Sequence, residues 1–104
     1  MTQYLFTYHG GHTPDSPEEG QKVMAEWQAW FAGMGDAVTV PGAPVGTNCT
    51  VSGSGVADGG GASPVTGYSV VTADDMDGAT AMAKGCPILK SDGGSVVVSE
   101  VIEM

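Results

Sequence analysis

Two histidines, His9 and His12, stand three residues apart where the first apolar segment gives way to Gly10-Gly11. Imidazole titrates near neutrality, so a histidine at a strand end can serve as a general base, and two close together can begin a metal site. No third ligand stands near this pair, so no metal and no cofactor is expected, and a hydrogen-bonded or solvated loop histidine is the plainer reading. Two acids are the candidate catalytic partners of His9. Asp36 follows the first helical segment, where it either faces a cleft or holds the helix-to-strand turn. Glu100 shares a strand face with Val96, Val98 and Ile102, and a carboxylate on an apolar face is costly unless paired or placed at an edge. Cys86 falls after Gly85 at a helix C-terminus, an electronegative position that disfavours a thiolate nucleophile. The aromatics Tyr4, Phe6, Tyr8, Trp27, Trp30 and Tyr68 are mostly core material. Some can instead line an apolar pocket, and Tyr8, His9, Trp27 and Tyr68 are the candidate ligand-binding set.

Composition narrows the partners. Three lysines and no arginine oppose twelve acids, for a net charge of −9. Such a surface cannot neutralise a phosphate backbone or an anionic bilayer, which argues against nucleic acid and membrane partners. The first ten residues alternate and carry no positive run, unlike a signal peptide. Cys49 and Cys86 then read as reduced thiols of a cytoplasmic protein. A chain of 104 residues makes a single domain, residues 1–104.

The elements that must position these residues follow from spacing. Residues 1–9 alternate as a strand, with Tyr4, Phe6 and Tyr8 on one face. Ser16-Pro17-Glu18-Glu19 is a helix start: Ser16 caps, Pro17 takes the first turn and Glu19 completes a capping box. Val23, Met24, Trp27, Trp30, Phe31 and Met34 then form an apolar stripe at helical spacing, with Gly33 or Gly35 as the stop. Short strands are predicted over 37–40 and 47–52, separated by Pro41-Gly42-Ala43-Pro44-Val45-Gly46 as a turn. Residues 53–64 are predicted to be a loose hairpin loop with Asp58-Gly59 as a turn pair. A strand over 66–72, a helix capped by Asp74 or Asp75 and ending near Lys84, the break Gly85-Cys86-Pro87 and a strand over 95–103 complete the chain. Asp74, Asp75 and Asp77 suit a helix N-terminus and need no ligand. The order gives an α+β, ferredoxin-like βαββαβ sandwich, an antiparallel sheet with two helices on one face.

Several segments also resemble a known family. Gly67-Tyr68-Ser69-Val70-Val71, Ala83-Lys84-Gly85-Cys86-Pro87 and Val98-Ser99-Glu100-Val101-Ile102, with Trp30-Phe31, Met34-Gly35-Asp36 and Pro41-Gly42-Ala43-Pro44-Val45-Gly46, are similar to the YCII-related, or DGPF-domain, family. The resemblance covers most of the chain. It implies a ferredoxin-like subunit pairing into a dimeric α/β barrel with a cleft beside the sheet. It also implies kinship with muconolactone isomerases, and in some relatives a His-Asp pair. This chain departs from that pair. Trp27 stands at the position of the family histidine, the turn after Gly42 offers no acid, and the signature is reduced to Asp58-Gly59-Gly60-Gly61.

The expectation is therefore a homodimer, its sheet covered by helices on one face and by a partner on the other, since Val97 and Val101 are apolar opposite Val96, Val98 and Ile102. Its expected role is to bind a small apolar or aromatic molecule, or to act as a structural partner. The alternative is a small lyase or isomerase that moves a proton with His9 and Glu100 or Asp36.

Overall fold

The computed structural model describes residues 2–10, 16–61, 64–90 and 93–102. In chain order the elements are β1 (Thr2–His9), α1 (Pro17–Met34), a 3-10 turn (Gly35–Ala37), β2 (Val38–Pro44), β3 (Cys49–Ser52), β4 (Gly55–Asp58), β5 (Val65–Ala73), α2 (Met76–Ala83), a second 3-10 turn (Pro87–Lys90) and β6 (Ser95–Glu100). Strands β2, β5, β1 and β6 form one sheet in that order, and every neighbouring pair is antiparallel. Both helix crossovers thus span one intervening strand, which is the ferredoxin-like α+β plan. The molecule is only 19 Å thick, the depth of one sheet and one helical layer.

Local chemistry accounts for the elements. Ser16 Oγ accepts from the Glu19 amide at 3.1 Å, and Gly35 (φ 58°) closes α1. Asp75 caps α2 by accepting from the Gly78 amide at 2.8 Å. Tyr4, Phe6 and Tyr8 on β1 are buried with Val71 and Ala73 of β5 and Ala79 and Ala83 of α2. The predicted aromatic row is therefore core.

Two sequence expectations fail in the middle of the chain. Residues 41–44 are not a turn: β2 runs through Pro41 and Pro44. Prolines fit there because β2 is an outer strand, where a missing amide donor breaks no ladder on the open side. Gly42 makes the pairing possible, for it has φ +74° and a Cβ there would sit 1.8 Å from the Tyr68 carbonyl oxygen. Residues 53–61 are not a loose loop either. They contain β4, which pairs with β3 around a turn at Gly53-Ser54, not at Asp58-Gly59. This β3–β4 ribbon forms its own sheet, and all of its residues are exposed. Asn48 ties its base to the body by donating to the Val65 carbonyl at 3.2 Å. The radius of gyration is 14.7 Å, above the ~13 Å of a compact chain of about this length.

Candidate functional site

The two helices cover the sheet differently. From α2, Ala79 and Ala83 are buried against the strands, whereas α1 has no buried residue. The backbone of α1 comes closest to β2 and the two 3-10 turns, while α2 lies near β1, β5 and β6. Large aromatics hold α1 off the sheet. Trp27 meets Tyr8 edge-on with ring centroids 4.9 Å apart, and Trp30 lies over Phe6 at 6.2 Å. Trp30 Nε1 also donates to the Met82 carbonyl at 3.0 Å, which ties α1 to the last turn of α2 and adds to the bond that this carbonyl accepts from the Gly85 amide.

The stand-off leaves a cleft of about 410 Å³ between α1 and the β2–β5 edge. Val23, Met24, Trp27 and Phe31 form its helical wall, and Pro41, Gly42, Gly67 and Ile88 are among the residues of its floor and far side. The walls are overwhelmingly apolar. The exposed Met24, at 63%, marks the mouth.

One buried polar chain crosses the floor. Tyr8 Oη donates to Ser69 Oγ at 2.8 Å, and Ser69 Oγ donates to the Pro41 carbonyl at 2.7 Å. Burial pushes the Tyr8 phenol up to about 12, partly offset by its bond to Ser69 and raised further by Cys86. It therefore remains a neutral hydroxyl under ordinary conditions. Burial likewise raises the Cys86 thiol to about 11, so Cys86 is a packed apolar side chain and not a nucleophile.

Three of the four candidate ligand residues, Tyr8, Trp27 and Tyr68, border this cleft. Tyr68 pairs with Thr7 in register, which puts it on the opposite sheet face from Tyr8, so it bounds the cleft at the strand edge. His9 does not reach the cleft. It follows a register shift at the end of β1 and bonds through Nε2 with Thr7 Oγ1 at 3.0 Å, on the face turned away from the helices.

The candidate catalytic residues do not converge. Glu100 is exposed and pairs with Tyr4 on the helical face, five residues along β1 from His9, about 16 Å at the rise of a strand. Asp36 is exposed in the turn before β2, the outer strand opposite to β6, so roughly three strand spacings, about 14 Å, part it from Glu100. What Glu100 does electrostatically is local: with burial first and Asp75 after it, it raises the Tyr4 phenol. Asp36 belongs to the helix-to-strand turn. His12 lies outside the described residues.

Among the described residues, no group of three His, Cys, Asp or Glu side chains could hold a metal ion. Cys49 and Cys86 are separate thiols, one exposed and one buried. Among the described residues no helix is long and apolar enough to cross a membrane.

Ser69 and Pro41 were absent from the sequence-derived site. A serine in the run Tyr68-Ser69-Val70-Val71 alternates inward with Val71, and that inward polar position was the available signal. Neither a family model nor a curated protein matches the chain.

Proposed function

We propose that this chain is a non-catalytic binding module that holds a small apolar or aromatic molecule between α1 and the β2–β5 edge. The observation that carries the reading is the 410 Å³ cleft with apolar walls and one buried polar chain, the usual make-up of a small-molecule site. Among the described residues no acid, lysine or histidine is on its wall, so the proton-transfer alternative through His9 finds no described base beside the cleft. The resemblance to YCII-related proteins, with a cleft beside a ferredoxin-like sheet, supports the same reading, as does the departure from their His-Asp pair.

The working unit of this proposal is a cytoplasmic homodimer. Leu5, Val40, Val70, Val97 and Val101 share the sheet face that carries no helix, and Val97 is 48% exposed. A two-fold partner laid on that face covers it and completes a barrel. Sedimentation at micromolar concentration is expected to give a dimer that Val97→Lys dissociates; a compact wild-type monomer refutes this part.

Binding itself is tested by calorimetric titration of naphthalene derivatives into wild type and Val23→Phe, which fills the cleft from α1. Saturable binding that weakens at least tenfold in the variant is expected. Equal affinity in both proteins would place the ligand elsewhere.

A further inference from the structure

We infer that the cleft selects neutral aromatic ligands bearing a hydroxyl, in preference to ethers and carboxylates of the same shape. This rests on the binding reading above and names its ligand class. The argument is the direction of the buried hydrogen bonds. A hydroxyl has one proton and two acceptor lone pairs. Tyr8 spends its proton on Ser69, and Ser69 spends its own on the Pro41 carbonyl. Ser69 is fully buried and Tyr8 is 4% exposed, so the chain cannot be reversed without stranding a carbonyl that loses its donor. Thr66, also on the wall, is committed as well, donating to the Tyr8 carbonyl at 3.1 Å. The oxygen of Tyr8 therefore presents acceptor capacity alone, and a ligand that bonds to it must bring the proton.

Apart from the Tyr68 hydroxyl at the strand edge, the remaining polar side-chain atom among the described lining residues is Trp27 Nε1, a donor only. A ligand hydroxyl can give to Tyr8 and accept from an indole N–H, whereas an ether can only accept. An anion meets a worse site. Lys22, Lys84 and Lys90 are all off the wall, Lys90 is paired with Glu26 at 3.2 Å, and the chain carries −9 overall. Among the described lining residues no cation offsets the desolvation of a carboxylate. Burial that keeps the Tyr8 phenol protonated up to about 12 keeps this polarity fixed across ordinary pH.

The test is calorimetric titration of 1-naphthol, 1-methoxynaphthalene and 1-naphthoate at neutral pH. Wild type is expected to bind 1-naphthol roughly three- to tenfold more tightly than 1-methoxynaphthalene, the range of one neutral hydrogen bond, and 1-naphthoate most weakly. Tyr8→Phe should bring 1-naphthol down to the level of the ether while ether binding persists. Ser69→Ala releases the Tyr8 proton toward the cleft, so the preference should shrink or invert. Equal or tighter binding of the ether or the acid by wild type overturns the inference and leaves the cleft as a binding site. Absence of binding by all three probes refutes the binding reading, and the inference with it.

Discussion

α2 and α1 lie on the same face of the same sheet, yet one seals it and the other leaves a cleft. The difference is in the side chains between helix and strands. α2 presents Ala79 and Ala83, so its backbone settles close to β1, β5 and β6. α1 presents Trp27, Trp30 and Phe31, whose rings prop the helix outward and pack mainly on each other and on Phe6 and Tyr8. Small residues make an interface that is filled to native density. Large ones, spaced along one side of a helix, make a gallery with room beside it. The candidate site is thus the unfilled half of the helical layer, and its walls are the props themselves.

The contrast breaks most visibly if bulk is added to each side. Ala79→Leu forces a larger side chain into a site with no exposed surface and should cost about 1–3 kcal/mol. Val23→Phe, which points bulk into the cleft, should stay within about 0.5 kcal/mol of wild type. Chemical denaturation of the two variants measures the asymmetry, and equal costs would mean that the α1 side is packed like the α2 side.

A second difference is set by pH. Tyr8 and Cys86 both hold their protons more tightly when folded, at about 12 and about 11 against ordinary values of 10.0 and 9.0. Their contribution to stability is whole below the unfolded values and is lost as pH rises through the folded ones. Stability should therefore begin to fall above about pH 9, and Cys86→Ala should move that onset toward pH 10, with Tyr4 acting in the same direction as Tyr8. A thermal-melt series from pH 8 to 11.5 reads this out, and a flat profile would contradict the burial of these groups.

The smallest expected effect lies on the outer side of α1. A Cβ at Gly33 meets nothing within 4 Å, so Gly33→Ala should stabilise the helix by about 0.5–1 kcal/mol. It should leave ligand binding unchanged. A change in affinity would show that the stand-off of α1 depends on helix stiffness as well as on its tryptophans.

How much of this was legible in the sequence follows the same divide. Alternation in Tyr4-Leu5-Phe6-Thr7-Tyr8 gave the core strand, Ser16-Pro17-Glu18-Glu19 gave the start of α1, and Gly85 with Pro87 gave the end of α2. These are local signals, each carried by a few neighbouring residues. Periodicity likewise gave the apolar side of α1. It could not give the distance between that side and the sheet, because the distance depends on which rings of β1 the tryptophans meet. The prolines of β2 misled for a related reason: a proline reads as a strand break until the strand is known to be an edge. Glu100 and Asp36 looked like partners of His9 only while their separation across the sheet was unknown.

The most direct measurement of the central claim is amide chemical-shift mapping during titration with 1-naphthol. Saturable shifts confined to the residues around Val23, Trp27, Phe31, Gly42 and Ser69, with Asp36, Glu100 and the β3–β4 arm unmoved, are the predicted result. Shifts centred on Leu5, Val70 and Val97 of the open sheet face, or on the arm, would contradict a binding site built by the stand-off of α1.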